Sequence, residues 1–433
     1  MDSFPLLTRD NNINSPLILS ESQKADLLPI AGKSLKSLGD DILVFPQNFD
    51  AYGDDIGKGV ALNIDGDKLK TGNIMGFIGR NDTLVKIGSR FDNNQGDYFM
   101  HYMLEKVLSI NLFDLKYSTN REEIFDFLPF LFPYYLKKAL ANGIYKEYRT
   151  FKRNNSSFRG VADLARHIRL NYPPTGNVAY KTREHTLDNN ITELIRHTIE
   201  CIVRKDFCNS ILSCDEDTKA FVNQIIGATP SYNLQDRKKI INANLRPKIH
   251  PYYSEYANLN RLCLQILKNE EIKYGSDNDE IYGILFDGAW LWEEYLNTIL
   301  TPIGIKHPKN RERKGGFPLF NNRRAWRYPD FYAEDVVLDA KYKSYGGNDV
   351  EDVSPEDLAQ IISYMYVQQA RSGIFLSPGK TVPESFSELR GHGGIVSLMT
   401  MAIPDVDNYD SFVGQISLNE ISLCRMVERH LAK

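Results

Sequence analysis

Residues Arg327 to Lys343, RYPDFYAEDVVLDAKYK, read as a tight hairpin turning at Glu334-Asp335. In that register Ala333 faces Val336, Tyr332 faces Val337, Phe331 faces Leu338 and Asp330 faces Asp339. Directly opposed residues on an antiparallel ladder hold their Cβ atoms roughly 4.5–5.5 Å apart. Two carboxylates that close repel unless a cation lies between them, and a hard divalent ion takes oxygen ligands of this kind. Lys341 follows Asp339 by two residues and shares its face. The alternate positions Val336, Leu338, Ala340 and Tyr342 read as a core face. One rigid surface therefore offers two carboxylates and an amine.

The Asp-x-Lys spacing alone is weak, since Asp114-Leu115-Lys116, Asp217-Thr218-Lys219 and Asp236-Arg237-Lys238 repeat it. A surface hairpin with a salt bridge from Lys341 explains it as readily as a metal site does. The upstream Pro329-Asp330 and the apolar strand between the two acids distinguish 339–341 from the others.

The chain has 433 residues, enough for two or three domains with a substantial core. Its hydrophobic content of 42% and charged content of 25% are those of an ordinary globular protein. A net charge of −4 gives no global attraction for nucleic acid, so any DNA contact has to come from local patches. The five cysteines form neither a CxxC pair nor a Cys/His zinc spacing, which suggests buried, reduced thiols in an intracellular protein. The N-terminal MDSFPLLTRD lacks the basic and apolar regions of a secretory signal. The most apolar run, Ile124 to Leu136, is interrupted by Asp126, Pro129 and Pro133 and is too short to span a bilayer. A cytoplasmic protein with no membrane partner is expected.

The fold class expected is α+β and multidomain. Residues 1–110 read as a β-rich N-terminal domain, with strands at Asp41 to Phe45, Gly59 to Ile64, Asn73 to Ile78 and Thr83 to Ile87. Gly32-Lys33-Ser34 imitates a phosphate-binding loop. The first glycine of that pattern would fall at Leu27, however, and no strand precedes it, so this chain is expected to bind no nucleotide itself.

Residues 111–275 read as a helical middle domain. Its clearest helix spans Asp188 to Leu212, with Ile191, Leu194, Ile195, Ile199, Ile202 and Val203 at spacings of three and four. Two basic stretches with aromatic residues, Lys146 to Arg153 and Phe158 to Arg169, suit phosphate contact. They suit a solvated helix face with snorkelling arginines as well. His167 and His197 lack partners at ligand spacing and read as structural.

Residues 276–433 read as an α/β domain with a central mixed sheet. Its first helix carries Leu285, Ala289, Trp292, Leu296 and Ile299 on one stripe; Glu294 falls opposite it and Glu293 at its edge. A strand at Ile303 to Lys306 leads into the densest basic cluster, which includes Arg311, Arg313, Arg323, Arg324 and Arg327 and opens directly onto Pro329-Asp330. Positive charge beside a carboxylate site suits a polyanionic phosphodiester. Arg311, Arg313, Arg323, Arg324, Arg327 and Lys343 are therefore the DNA-contact candidates. Downstream, Ser354 caps a helix with Pro355 first and Asp357 as capping partner. That helix is expected to bury Leu358, Ile361, Ile362 and Met365, to carry Asp357, Gln360 and Tyr364 on an adjoining stripe, and to end at Gly373. Strands at Ile374 to Ser377 and Ile395 to Ala402 and a helix from Leu418 to Leu431 complete the pattern.

Glu293, Asp330, Asp339-Ala340-Lys341 and Gln360-Ile361-Ile362-Ser363-Tyr364, in this order, resemble the PD-(D/E)xK nuclease superfamily, and the Gln-x-x-x-Tyr element resembles its RecB-type branch. Upstream, Ser89-Arg90-Phe91, Phe158-Arg159-Gly160, Arg166 to Arg169, Arg183-Glu184, Asp188-Asn189 and Trp292 to Tyr295 resemble the McrC subunits of McrBC-type restriction systems, with the LlaJI-type subgroup nearest. The similarity covers roughly residues 40–400. It implies a DNA endonuclease subunit that docks on an AAA+ GTPase of the McrB kind and cuts double-stranded DNA. By the same resemblance, Asp330, Asp339 and the Ala340 carbonyl hold Mg²⁺ (or Mn²⁺) with help from Glu293. Lys341 orients or activates water, and Gln360 and Tyr364 position substrate or brace the site. The long N-terminal region fits the LlaJI-type better than the shorter McrC form, which leaves a requirement for methylated DNA open. A solitary RecB-like repair nuclease and a non-catalytic activator of a partner GTPase are the alternatives.

Overall fold

The hairpin forms in the register its sequence dictates. Phe331–Tyr332 pairs antiparallel with Val336–Ala340, Phe331 opposite Leu338 and Tyr332 opposite Val337, and the Ala333 amide donates to the Val336 carbonyl at 2.9 Å. The computed structural model describes residues 5–38, 42–46, 59–81, 83–92, 97–108, 128–204, 211–273, 281–308, 314–345, 349–380, 384–391 and 393–431. Arg311 and Arg313 lie outside them.

Around the hairpin runs a mixed five-stranded sheet. Its order is Phe331–Tyr332, Val336–Ala340, Ser372–Gly379, Ile395–Ala402 and Glu384–Glu388. The three inner strands are parallel and the two outer pairs antiparallel. Parallel neighbours need a crossover, and the helix Pro355–Gln368 supplies one between Val336–Ala340 and Ser372–Gly379. Ser354 caps that helix by accepting from the Asp357 amide, and Pro355 is its first residue, as expected. Ile361 and Met365 are buried while Ile362 is exposed.

The helix stops at Gln368, with Gln369 in the left-handed region (φ 56°), not at Gly373. Gly373 lies in the next strand, where an added Cβ would meet the Met365 sulfur at 2.7 Å. Its lack of a side chain lets the helix pack closely on the sheet. The last helix begins at Tyr409 rather than Leu418, and the edge strand Glu384–Glu388 was not anticipated.

A second five-stranded sheet has the order Leu6–Arg9, Thr83–Gly88, Ile74–Arg80, Ile281–Asp287 and Leu43–Phe45. Its strand Ile281–Asp287 comes from the region expected to open a separate third domain. It pairs antiparallel with Ile74–Arg80 and parallel with Leu43–Phe45. Close approach is needed here: a Cβ on Gly76, whose φ is +123°, would meet the Ile284 carbonyl oxygen at 2.2 Å. Leu285 therefore belongs to the core of this sheet, with Leu27, Val44, Ile78 and Val85, and not to a helix stripe. Two compact units result, Met1–Ile124 with Asp277–Lys433, and Phe125–Ser276. The first and third expected domains are thus one unit.

The unit Phe125–Ser276 has the helix Asn190–Val203, which buries Ile191, Leu194, Ile195, Ile199 and Ile202 but leaves Val203 exposed. It is not purely helical. Glu147–Asn155, Val178–Thr186 and Val161–Ala162 form an antiparallel sheet. The first basic stretch is thus a strand whose arginines are engaged internally, Arg149 with Glu193 at 3.3 Å and Arg153 with Glu184 at 2.9 Å. His197 is buried against the Tyr232 ring, and His167 bonds the Asn171 amide, both structural roles. Among the described residues no helix is long and apolar enough to cross a membrane.

Candidate active site

Asp339 sits on the inner strand Val336–Ala340 and is only 2% exposed. Both faces of that strand are covered, because Val336, Val337 and Leu338 are all fully buried. Val337, on the Asp339 face, packs with Ile361, Tyr364 and Met365 of the crossover helix. The polar stripe of that helix therefore stands over the acid pair. Its packing beneath and its polar residues above come from the same three-to-four spacing.

Asp330 sits one residue before the strand Phe331–Tyr332, and its Oδ2 accepts the Ala340 amide at 2.8 Å. Burial pushes the Asp330 carboxyl well above the usual carboxylate range, and the charges of Glu293 and Asp339 push it further. Asp339 is raised by burial too, against the opposing pull of Lys341 and a hydrogen bond shared with Asp330. The two carboxyls thus lie within electrostatic reach of each other, one near the end of each hairpin strand.

The Lys341 ammonium lies 2.7 Å from Asp339 Oδ2 and 3.2 Å from Asp357 Oδ1. Burial would lower its pKa, but the charges of Asp339 and Asp357 outweigh burial and hold it above the ordinary lysine value. Lys341 also donates to Gln360 Oε1 at 3.1 Å, and Gln360 Nε2 donates to the Tyr364 hydroxyl at 2.6 Å. Gln360 is exposed at the site, whereas Tyr364 is buried and braces it.

Asp357 is a larger participant than its place as a helix-capping residue suggests. It pairs with both Lys341 and Lys343 and accepts from the Ser354 hydroxyl at 2.8 Å. Burial would raise its carboxyl, but hydrogen bonds from Lys343 and Ser354 keep it below its ordinary value.

Glu293 is brought in by the helix Gly288–Leu300, which starts where Asp287 Oδ1 accepts the Trp290 amide at 2.8 Å. Trp292 Nε1 ties that helix to the central sheet through the Leu376 carbonyl at 3.2 Å. The expected stripe is out of phase. Ala289 is exposed, whereas Trp290, Leu291, Trp292, Tyr295, Leu296 and Leu300 are buried. Glu293 and Glu294 are both half-buried, and it is the Glu293 charge that reaches Asp330.

His307 was not foreseen. Its Nδ1 bonds the Asp330 carbonyl at 2.8 Å, its Nε2 lies 3.8 Å from Glu293 Oε1, and its ring lies against Phe331. Where a strand was expected at Ile303 to Lys306, there is a turn of 3-10 helix, Thr301–Ile303, and then a single bridge from Lys306 to Tyr332. That bridge seats His307. A lone histidine in a basic loop gave no spacing signal.

The remaining cations divide into two groups. Arg323 and Arg324 are exposed on the turn between Phe317–Pro318 and Trp326–Arg327. Arg327 Nε donates to the Ser363 hydroxyl at 2.8 Å, and Lys343 is taken up by Asp357. Among the described residues, no three His, Cys, Asp or Glu side chains converge closely enough to hold a metal ion. The donor chemistry nonetheless suits a hard cation, because the buried Asp339 carboxylate stands beside a second carboxyl, Asp330, that burial and neighbouring negative charge both push upward.

Ser89-Arg90-Phe91 connects the two sheets. Arg90 pairs with the buried Asp10 at 2.6 Å, bonds the Tyr342 carbonyl and stands over the Tyr342 ring at 4.6 Å. Ser89 and Tyr342 share a hydroxyl hydrogen bond of 2.7 Å. The residue after Lys341 is thereby fixed from the N-terminal sheet.

A mixed sheet carrying an acid pair and a lysine, overlooked by helix-borne Asp357 and Gln360 and flanked by exposed arginines, defines an acidic centre with a cationic approach. The chain belongs to the family described as McrBC 5-methylcytosine restriction system component, whose sequence model matches residues 69–376. Two solved structures from Thermococcus gammatolerans are similar to it. One is the refined half-complex from a tetradecameric assembly of McrB AAA+ hexamers with bound McrC, at 16% identity and a TM-score of 0.44, covering 87% of this chain and 89% of that one. The other is the cryo-EM structure of the McrBC complex, at 14% identity and a TM-score of 0.34, covering 69% and 87%. Comparison with curated proteins gives no match.

Proposed function

We propose that this chain is the McrC-type, LlaJI-like nuclease subunit of a restriction system, hydrolysing DNA phosphodiesters with Mg²⁺ (or Mn²⁺) alongside an AAA+ GTPase of the McrB kind. The observation that carries the reading is the buried Asp339 with the Lys341 ammonium 2.7 Å away and the Asp330 carboxyl on the facing strand end, in a member of a restriction-system family. A PD-(D/E)xK centre is the nuclease type that this set of groups fits.

Asp330, Asp339 and the Ala340 carbonyl would hold the ion, with Glu293 assisting. The ion would supply Lewis-acid polarisation of the phosphoryl group and lower the pKa of a bound water. The chain's own residues supply the rest. Lys341, kept charged by its acidic neighbours, stabilises the negative charge that develops as phosphorus becomes five-coordinate. Gln360 and Asp357 hold its ammonium in place, and Tyr364 holds Gln360. Arg323 and Arg324 meet the phosphate backbone. His307 fixes the Asp330 main chain and faces Glu293.

The test is cleavage of one plasmid in Mg²⁺ by the wild type and Asp339→Ala, with and without the GTPase and GTP, on methylated and unmethylated DNA. Cutting by the wild type that needs the partner and is lost in the variant is the expected result. Cutting that persists in Asp339→Ala removes this site from the chemistry. If the chain stimulates GTP hydrolysis but cleaves nothing under any condition, it is an activator and not a nuclease.

A further inference from the structure

Beside the acid pair lies an open cleft of about 470 Å³, lined among others by Trp326, Arg327, Tyr328, Glu356, Gln360 and Tyr364. Sites for small organic groups span roughly 300–1,000 Å³. We propose that this cleft is a nucleobase subsite, receiving one unstacked base of the strand to be cut. The proposal rests on the nuclease reading and deepens it.

Three features favour a base over a phosphate. The first is the aromatic surface. Trp326 is 39% exposed on the cleft side of the hairpin base, and the Tyr328 ring lies so close over Gly316 that an added Cβ there would stand 2.3 Å from it. A held ring and an exposed indole offer the sequence-tolerant stacking faces used for single strands.

The second is charge. Arg327 and Glu356 both line the cleft, so it presents donors and acceptors together. That combination suits a neutral planar base and disfavours a phosphate, which the Glu356 carboxylate repels. Phosphates would be met instead by Arg323 and Arg324 on the adjoining turn, where Arg323 stands over the Trp326 ring at 5.9 Å.

The third is continuity with the reaction site. Gln360 lines the cleft and accepts from Lys341 at 3.1 Å. A base in the cleft would therefore lie next to the phosphodiester presented to Lys341. A duplex would have to release a base there before cleavage, which is easiest at already unpaired positions.

Trp326 also supplies a test independent of cleavage. The chain has three tryptophans, and Trp290 and Trp292 are buried. Intrinsic fluorescence of the full chain in EDTA is titrated with a short oligothymidylate, its abasic counterpart and a duplex of equal length. Saturable quenching by oligothymidylate is expected, with weaker binding of the abasic strand and the duplex. Measured by anisotropy of a labelled strand, Trp326→Ala should weaken oligothymidylate binding by roughly 5- to 100-fold, the range of one base–aromatic stack. Trp326→Phe should retain most of the affinity while losing the quenching signal.

Equal affinity for the abasic strand, or no loss in Trp326→Ala, overturns the subsite. Plasmid cleavage by the same preparations, in Mg²⁺ with the GTPase and GTP added, separates the two ideas. Cleavage without base-dependent binding removes the subsite alone, and base-dependent binding without cleavage removes the nuclease reading alone.

Discussion

Arg90→Met should reveal how firmly the N-terminal sheet holds the segment that follows Lys341. Asp10 has a fully buried side chain with Arg90 at 2.6 Å. Removing the guanidinium leaves that carboxylate without its cation, a change that costs roughly 3–5 kcal/mol when the charge stays buried. The size of the loss depends on pH, and its sign is fixed. Burial raises Asp10 from 3.8 to about 6, against the pull of Arg90. A carboxyl raised on folding contributes stability that is fully present below its unfolded value and lost as pH rises through the folded value. At pH 5 the folded Asp10 is therefore largely protonated and Arg90→Met should be mild. At pH 7.5, where the wild-type carboxylate is ionised and paired with Arg90, the loss should be larger, limited only by protonation of Asp10 in the variant. Adding Asp10→Asn should restore most of the loss at pH 7.5, since no buried charge then remains. Urea unfolding of the single and double variants at both pH values checks this. Equal penalties at the two pH values, or a double variant no more stable than Arg90→Met, would refute the reasoning.

Other outcomes are open to the same scrutiny. Asp339→Ala should keep its melting temperature within a few degrees while losing cleavage, because Lys341 retains Asp357 and Gln360; collapse of the fold would make the acid structural. Glu293→Gln should lower cleavage by roughly 10- to 100-fold, and Glu294→Gln should leave it unchanged; the reverse ranking would misplace the helix relative to Asp330. His307→Ala should weaken Mn²⁺ binding, read by electron paramagnetic resonance, by roughly tenfold, with His307→Asn recovering part of it through a donor to the Asp330 carbonyl. The isolated chain should bind DNA weakly with a steep salt dependence and cut it efficiently only with its GTPase and GTP; site-specific cutting without them would make it self-sufficient.

The acid pair was legible because a hairpin is a local object. Two residues of turn fix the register, and the register fixes which side chains face each other. The helix phase around Glu293 was not legible in the same way. Ile281-Tyr282-Gly283-Ile284-Leu285-Phe286 is a short apolar run that fits either a buried strand or the start of a helix. Leu285 sits four residues before Ala289, so helical spacing claimed it. The long-range pairing with Ile74–Arg80 decides the matter, and the local sequence contains no trace of that partner. Asp287, the cap that starts the helix, was the local signal available.

The same long-range pairing explains what the Ser89-Arg90-Phe91 motif does. The motif lies far from the acids in sequence, yet its arginine bonds the main chain one residue beyond Lys341. The strand Ile281–Asp287 completes the N-terminal sheet and then leads into the helix that carries Glu293. Two of the site's groups are thus tied to that sheet by separate routes, Lys341 through Tyr342 and Glu293 through Asp287. Both groups are also held from the other side, Lys341 by Asp339, Asp357 and Gln360 and the Glu293 helix by the Leu376 carbonyl, so the site is braced between the two sheets.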